Sequence, residues 1–142
     1  VLLKETKVML DEYPYAVVHF NNGLHGFHLE GKDYASALRK YVSQLKKWGR
    51  GAKLIWGAST PITKGNDVNT LEAMNDAVVS RNTLAAEVMK ENYIPINDLY
   101  QLVVGKSDLR SPDGYHYNAG GYELMGKAVA EALLRAIEAG GP

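Results

Sequence analysis

The chain has 142 residues, 46% of them apolar and 23% charged, and its formal net charge is +0. That length suits one domain and the apolar share is enough for a core, while the balanced charge offers no footing for nucleic acid or an anionic membrane. Cysteine is absent, which excludes disulfides and thiolate metal sites and leaves the compartment open.

The first twelve residues set Leu2, Leu3, Val8, Met9 and Leu10 among Lys4, Glu5, Lys7, Asp11 and Glu12, the pattern of an amphipathic helix. Tyr13-Pro14 breaks it. Tyr15 to Phe20 is a short apolar, β-branched run and reads as a strand buried on both faces, hence parallel. A polar turn, Asn21-Asn22-Gly23-Leu24-His25-Gly26, follows directly. The C-terminal end of a parallel strand is where open α/β sheets place ligands. Two amides and a histidine converge there, although Asn-Gly is also a good plain turn.

Asp33 to Trp48 reads as a helix, with Asp33 as N-cap and Tyr34, Leu38, Tyr41, Val42 and Leu45 on one face. Lys46, Lys47 and Arg50 favour its C-terminal end, and Gly49 and Gly51 stop it. Ala52 to Ala58 is a second strand, ended by Ser59-Thr60-Pro61. Ser59 lacks the G-x-S-x-G elbow that exposes a nucleophile, and is expected in a turn or pocket wall. Ile62 to Asn66 reads as a loop and Asp67 to Glu91 as one long helix, with Met74 and Met89 as core filler. Tyr93 to Ile96 is a third strand, placed at an edge by Pro95. A short helix over Leu99 to Val104, a loop to Ser111 and a last helix over Gly120 to Ile137 complete the pattern. Strands alternating with helices give βαβ units and a parallel sheet. Residues 1–138 form the domain and 139–142 a tail.

The most informative stretch is Asp113-Gly114-Tyr115-His116-Tyr117-Asn118-Ala119-Gly120-Gly121-Tyr122. Asp at i and His at i+3 on a tight turn can set a carboxylate beside an imidazole. It then fixes the tautomer and stabilises the protonated ring, as a general base requires. The bare D-x-x-H spacing also occurs as a turn Asp with a surface His. The flanks add to it: D-G-x-H, a short gap and G-Y opening a small-residue helix resemble the C-terminal signature of the SGNH, or GDSL-type, esterase family.

That resemblance implies catalytic roles for Asp113 and His116. It extends to the turn at 21–26, where the family carries G-x-N-D and the Asn donates to the oxyanion. Gly23-Leu24-His25-Gly26 aligns with that motif, with His25 in the place of Asn and Gly26 in the place of Asp. The resemblance thus implies an oxyanion and substrate pocket from Asn21, Asn22, Gly23 and His25, the donor being His25, Asn21 or Asn22. The expected fold is a three-layer α/β/α, flavodoxin-like SGNH hydrolase with a parallel sheet. The family's nucleophile lies in a Gly-Asp-Ser motif after its first strand, and no Gly-Asp-Ser occurs here. The chain therefore looks like the C-terminal portion of such a domain, with the first two strands absent.

The resemblance implies a carboxylic ester hydrolase, with O-acylated (acetylated) carbohydrate as a substrate class that many relatives use, acting through an acyl-enzyme with the Ser outside this chain and no cofactor. The chain alone is then expected to be inactive. The alternative is a catalytically incompetent half-domain acting as a binding or assembly module. His19 and His28 read as a sheet residue and a loop residue. His25, His28 and His116 have no carboxylate at ligand-like spacing, so no metal is expected. Expected partners are a small-molecule or glycan ester and whatever covers the strand at 15–20: a missing N-terminal segment, a second chain or a homodimer mate. Neither nucleic acid nor membrane is expected: the charges balance, and no apolar run approaches the ~20 residues of a span. The chain starts at Val1 without a signal-like segment, so a secreted or periplasmic place after signal-peptide removal stays open.

Overall fold

A computed structural model describes residues 2–24, 28–29 and 31–139. Helix α1 (Leu2–Glu12) leads into strand β1 (Val17–Phe20), helix α2 (Gly31–Trp48) and strand β2 (Lys53–Gly57). A hairpin of β3 (Thr63–Lys64) and β4 (Asp67–Leu71) follows, then α3 (Asn75–Glu91), β5 (Ile96–Asn97), α4 (Leu99–Val103), a single 3-10 turn (Ser107–Leu109) and α5 (Ala119–Glu138). The main sheet is parallel with order β1-β2-β5, in the register Phe20 opposite Trp56 and Gly57 opposite Asn97.

The alternation of strand side chains builds the two outer layers. Phe20, Leu54 and Trp56 are buried in one core with Leu38, Val42 and Leu45 of α2 and Val88 and Met89 of α3. Phe20 stacks edge-on against both Trp56 and Tyr41. The intervening residues face the other way, where the Lys53 ammonium donates to the Ala136 carbonyl of α5. The described architecture is therefore α/β/α with a parallel sheet.

β1 lies at one sheet edge and β5 at the other, as Pro95 implies: the Pro95 carbonyl accepts from Trp56 N, and the residue has no N–H to offer outward. Val17, Val18 and His19 are only half-buried. The expected long helix over 67–91 is corrected by the structure. Asp67–Leu71 is strand β4, antiparallel to β3, and α3 starts at Asn75. Val68 and Thr70 are β-branched, and Asn66 adopts φ 62, a left-handed conformation that asparagine tolerates and that closes the hairpin. The third strand is also shorter and later than the sequence pattern suggests, because Tyr93 turns the chain with φ 57.

Candidate active site

The Asp113–His116 turn is built by its own backbone and clamped from outside. Ser111 N donates to His116 O at 3.0 Å and Gly114 N to Ser111 O at 3.2 Å, and Arg110 bridges to Tyr117 at the base. Gly114 sits at φ +81, and a Cβ there would lie 2.0 Å from the Thr63 carbonyl oxygen, so only glycine fits. Its own carbonyl accepts from Thr63 N at 2.9 Å, and Pro112 O accepts from Asn66 N at 2.8 Å. Arg110, buried, donates to Pro61 O at 2.6 Å and to Gly114 O at 3.3 Å, with its guanidinium 4.3 Å over the Tyr117 ring. The sequence hid this arginine; a basic residue in a loop has no pattern that marks it as buried.

The turn feeds directly into α5. Asn118 is the N-cap, its side-chain oxygen accepting from Gly121 N at 3.1 Å while its amide donates to Asp108 O at 2.6 Å.

Asp113 Oδ2 lies 2.7 Å from His116 Nδ1, and Oδ1 accepts from the backbone N–H groups of Tyr115 and His116, each at 2.8 Å. The His116 backbone donor, the ring contact and the Tyr115 donor together hold the carboxyl down at about 2, against an ordinary 3.8. An ionised carboxylate only accepts, so Nδ1 carries the proton and the Nε2 lone pair is left free. The imidazole side chain is 71% exposed. Such a pair can take a proton from an acidic O–H brought to Nε2.

The second expected cluster lies at the end of β1. Asn21 Oδ1 accepts from Gly23 N at 3.0 Å, and its amide donates to Gly57 O at 2.5 Å and to Ser59 Oγ at 3.1 Å. A Cβ on Gly23 would fall 1.6 Å from Ser59 Oγ, so glycine allows this close approach of the two strand ends. Asn22 is half-buried and borders a small cavity with Leu29, Tyr34 and Tyr41 on the α2 side. His25 lies outside the described residues.

Ser59 is buried in the wall between the two turns, its backbone held on both sides by the Asn82 amide. Both clusters are thereby anchored on one segment: the 21–24 turn on Gly57 and Ser59, the Asp113–His116 turn on Pro61, Thr63 and Asn66. That segment leaves the C-terminal end of β2, the expected ligand edge of a parallel sheet.

His19 sits elsewhere. Its ring passes over Gly57 and its Nε2 lies 3.3 Å from the Asn97 amide, on the face opposite Phe20, and burial lowers its pKa. His28 is exposed. Among the described residues no group of three or more His, Asp or Glu is placed to hold a metal.

The fold is that of the SGNH/GDSL-type hydrolases. A carbohydrate esterase family 3 protein from Talaromyces cellulolyticus superposes with TM-score 0.76 at 13% identity, over 99% of this chain and 68% of that one. A GDSL-like lipase from Bacteroides thetaiotaomicron matches with TM-score 0.65 at 20% identity, over 94% of this chain and 71% of its own. A lipase/acylhydrolase from Enterococcus faecalis gives 0.66 at 19%, over 89% and 64%. The chain thus spans about two thirds of the length of these structures. No protein-family model matches it, and no curated protein does.

Proposed function

We propose that this chain supplies the acid–base half of an SGNH-type carboxylic ester hydrolase, with O-acylated carbohydrate as the favoured substrate class. The observation that carries the reading is the Asp113–His116 pair: an ionised carboxylate tied by two backbone N–H groups, 2.7 Å from Nδ1, with Nε2 directed away from it. His116 is the general base that deprotonates a serine hydroxyl and then protonates the leaving alcohol. Asp113 orients the ring and stabilises its cationic form.

Within the 21–25 turn, Asn21 is the best-prepared oxyanion donor. Its amide plane is fixed by the Gly57 carbonyl and the Gly23 N–H, and its remaining contact is the neutral Ser59 hydroxyl, a weak acceptor that an oxyanion outcompetes. The nucleophilic serine comes from residues outside this chain. The strand that precedes it pairs with the free edge of β1, whose half-buried side chains such a strand would cover. The carbohydrate preference is supported by the esterase from Talaromyces cellulolyticus.

The test is hydrolysis of p-nitrophenyl acetate and acetylated xylose. It compares the 142-residue chain with the same chain supplied with a segment carrying a strand and a Gly-Asp-Ser turn. The first is expected to form no acyl-enzyme by mass spectrometry. The second is expected to form one, with turnover falling roughly 10²–10⁴-fold in His116→Ala. Robust turnover by the chain alone, abolished by Ser59→Ala, would make Ser59 the nucleophile and overturn the proposal.

A further inference from the structure

A cavity of about 240 Å³ opens between the β3–β4 hairpin and the loop after α4. Pro61, Val68, Leu71 and Val103 form its apolar wall; Lys106 and Arg110 are its charged residues. No aspartate or glutamate lines it. Arg110 is only 8% exposed, and its described hydrogen bonds go to carbonyls, Pro61 and Gly114. Among the described residues no carboxylate lies within ion-pair distance of it, whereas the exposed Arg39, Arg50 and Arg135 each have one.

The guanidinium's described partners are two neutral carbonyls and the face of the Tyr117 ring, and none of them carries the full opposing charge of a carboxylate. Burial accordingly lowers its pKa, with Tyr117 and Asp113 acting in the opposite sense. Two cations lining one cavity, an exposed lysine and a buried arginine, suit a carboxylate. The volume is below that of a pocket for a drug-sized ligand, and matches one acidic group with the ring atoms next to it.

The cavity is joined to the catalytic turn through Arg110, which bonds the carbonyl of Gly114, the residue next to Asp113. We infer that this cavity is an anion subsite for a carboxylate carried by the substrate, recognised by Lys106 and Arg110, so that the substrate is an O-acylated acidic sugar rather than a neutral one. The anion site stands on the cavity itself; its assignment to the substrate rests on the esterase reading above.

Two measurements separate these levels. In the first, ¹H–¹⁵N spectra of the protein are titrated with sodium D-glucuronate, D-glucose and sodium acetate. Glucuronate is expected to shift the amides of Gly105, Lys106 and Ser107 saturably. Glucose should leave them unmoved, and acetate should bind more weakly than glucuronate. Lys106 is exposed and its side chain makes no described hydrogen bond, so Lys106→Gln should fold normally and weaken glucuronate roughly tenfold. Equal shifts with glucose, or no effect of Lys106→Gln, would overturn the site. Acetate binding as tightly as glucuronate would reduce it to an adventitious anion site only.

The second measurement compares kcat/KM for acetylated methyl glucuronoside and acetylated methyl glucoside, using the chain complemented with the Gly-Asp-Ser segment. A preference of about tenfold for the acidic ester, lost in Lys106→Gln, is expected. Glucuronate binding without hydrolysis of either ester would sink the esterase reading and leave the anion site standing. Equal hydrolysis of both esters without glucuronate binding would do the reverse.

Discussion

Gly114→Ala and Gly105→Ala form a matched pair that separates backbone strain from steric contact. Both glycines have positive φ, +81 and +74, but a Cβ at Gly105 meets nothing within 4 Å. At Gly114 it would meet Thr63 O at 2.0 Å, Thr63 C at 2.9 Å and Gly65 N at 3.2 Å. A left-handed residue with a Cβ costs about 1–2 kcal/mol, of which about 0.4–1 is offset by the stiffer unfolded chain. Gly105→Ala should therefore cost about 1 kcal/mol or less. Gly114→Ala adds an overlap with backbone, which cannot rotate away as a side chain can, worth roughly 1–3 kcal/mol. Moving the strand apart also strains the Thr63 N–H to Gly114 O bond, worth about 1 kcal/mol. The difference between the variants should be about 2–4 kcal/mol, or roughly 10 °C in Tm. Urea unfolding followed by circular dichroism measures it. Carboxyl ¹³C shifts give the second readout: the Asp113 pKa should rise from about 2 towards its ordinary value in Gly114→Ala and stay put in Gly105→Ala. Equal destabilisation by the two substitutions would refute the account of how this turn is held.

The Asp113 carboxyl titrates lower in the folded protein than its ordinary 3.8, so its contribution is complete above that value and lost as pH falls towards about 2. Unfolding free energies of the parent and Asp113→Asn, measured from pH 2 to 6, should converge at the acid end; parallel curves would contradict this. His19 has the opposite sense: burial lowers its folded pKa below 6.5, so the unfolded chain binds the proton first and stability drops as pH falls through that value. His19→Gln should flatten stability between pH 7 and 5, and an unchanged slope there would count against a buried neutral ring. Gly23→Ala should destabilise by roughly 1–3 kcal/mol through the 1.6 Å approach to Ser59 Oγ. Gly23→Ala/Ser59→Gly should recover most of that loss in a double-mutant cycle, and additivity of the two would show that the clash lies elsewhere.

The fold was legible wherever periodicity and length agreed. Tyr34, Leu38, Tyr41, Val42 and Leu45 recur at helical spacing and all are buried on α2. Pro95 announced an edge strand, and β5 is one. The segment 67–74 misled because Val68, Leu71 and Met74 also fit a helical stripe. Its strand character depends on a partner, β3, only two residues long and invisible as a strand by itself. A short antiparallel ribbon is stabilised by its cross-strand pairs, which no local window contains.

The site divides along the same line. A dyad spaced at i and i+3 closes within one turn, so sequence alone could place Asp113 against His116, and the 2.7 Å contact follows from local geometry. What holds that turn against the sheet is not local. Arg110 reaches back 49 residues to the Pro61 carbonyl, and position 114 admits only glycine because the Thr63 carbonyl lies where a Cβ would be. Arg81 likewise ties the turn after β1, donating to the carbonyls of Gly23 and Leu29. In each case a buried guanidinium binds main-chain carbonyls, which every residue offers equally. The choice of partner therefore leaves no mark in the sequence, although it decides where the dyad points. The chemistry of this edge is written in short motifs, and its rigidity in long-range contacts to anonymous backbone. That separation is why the Asp113–His116 pair is legible in the sequence, while the cationic cavity lined by Lys106 and Arg110 is not.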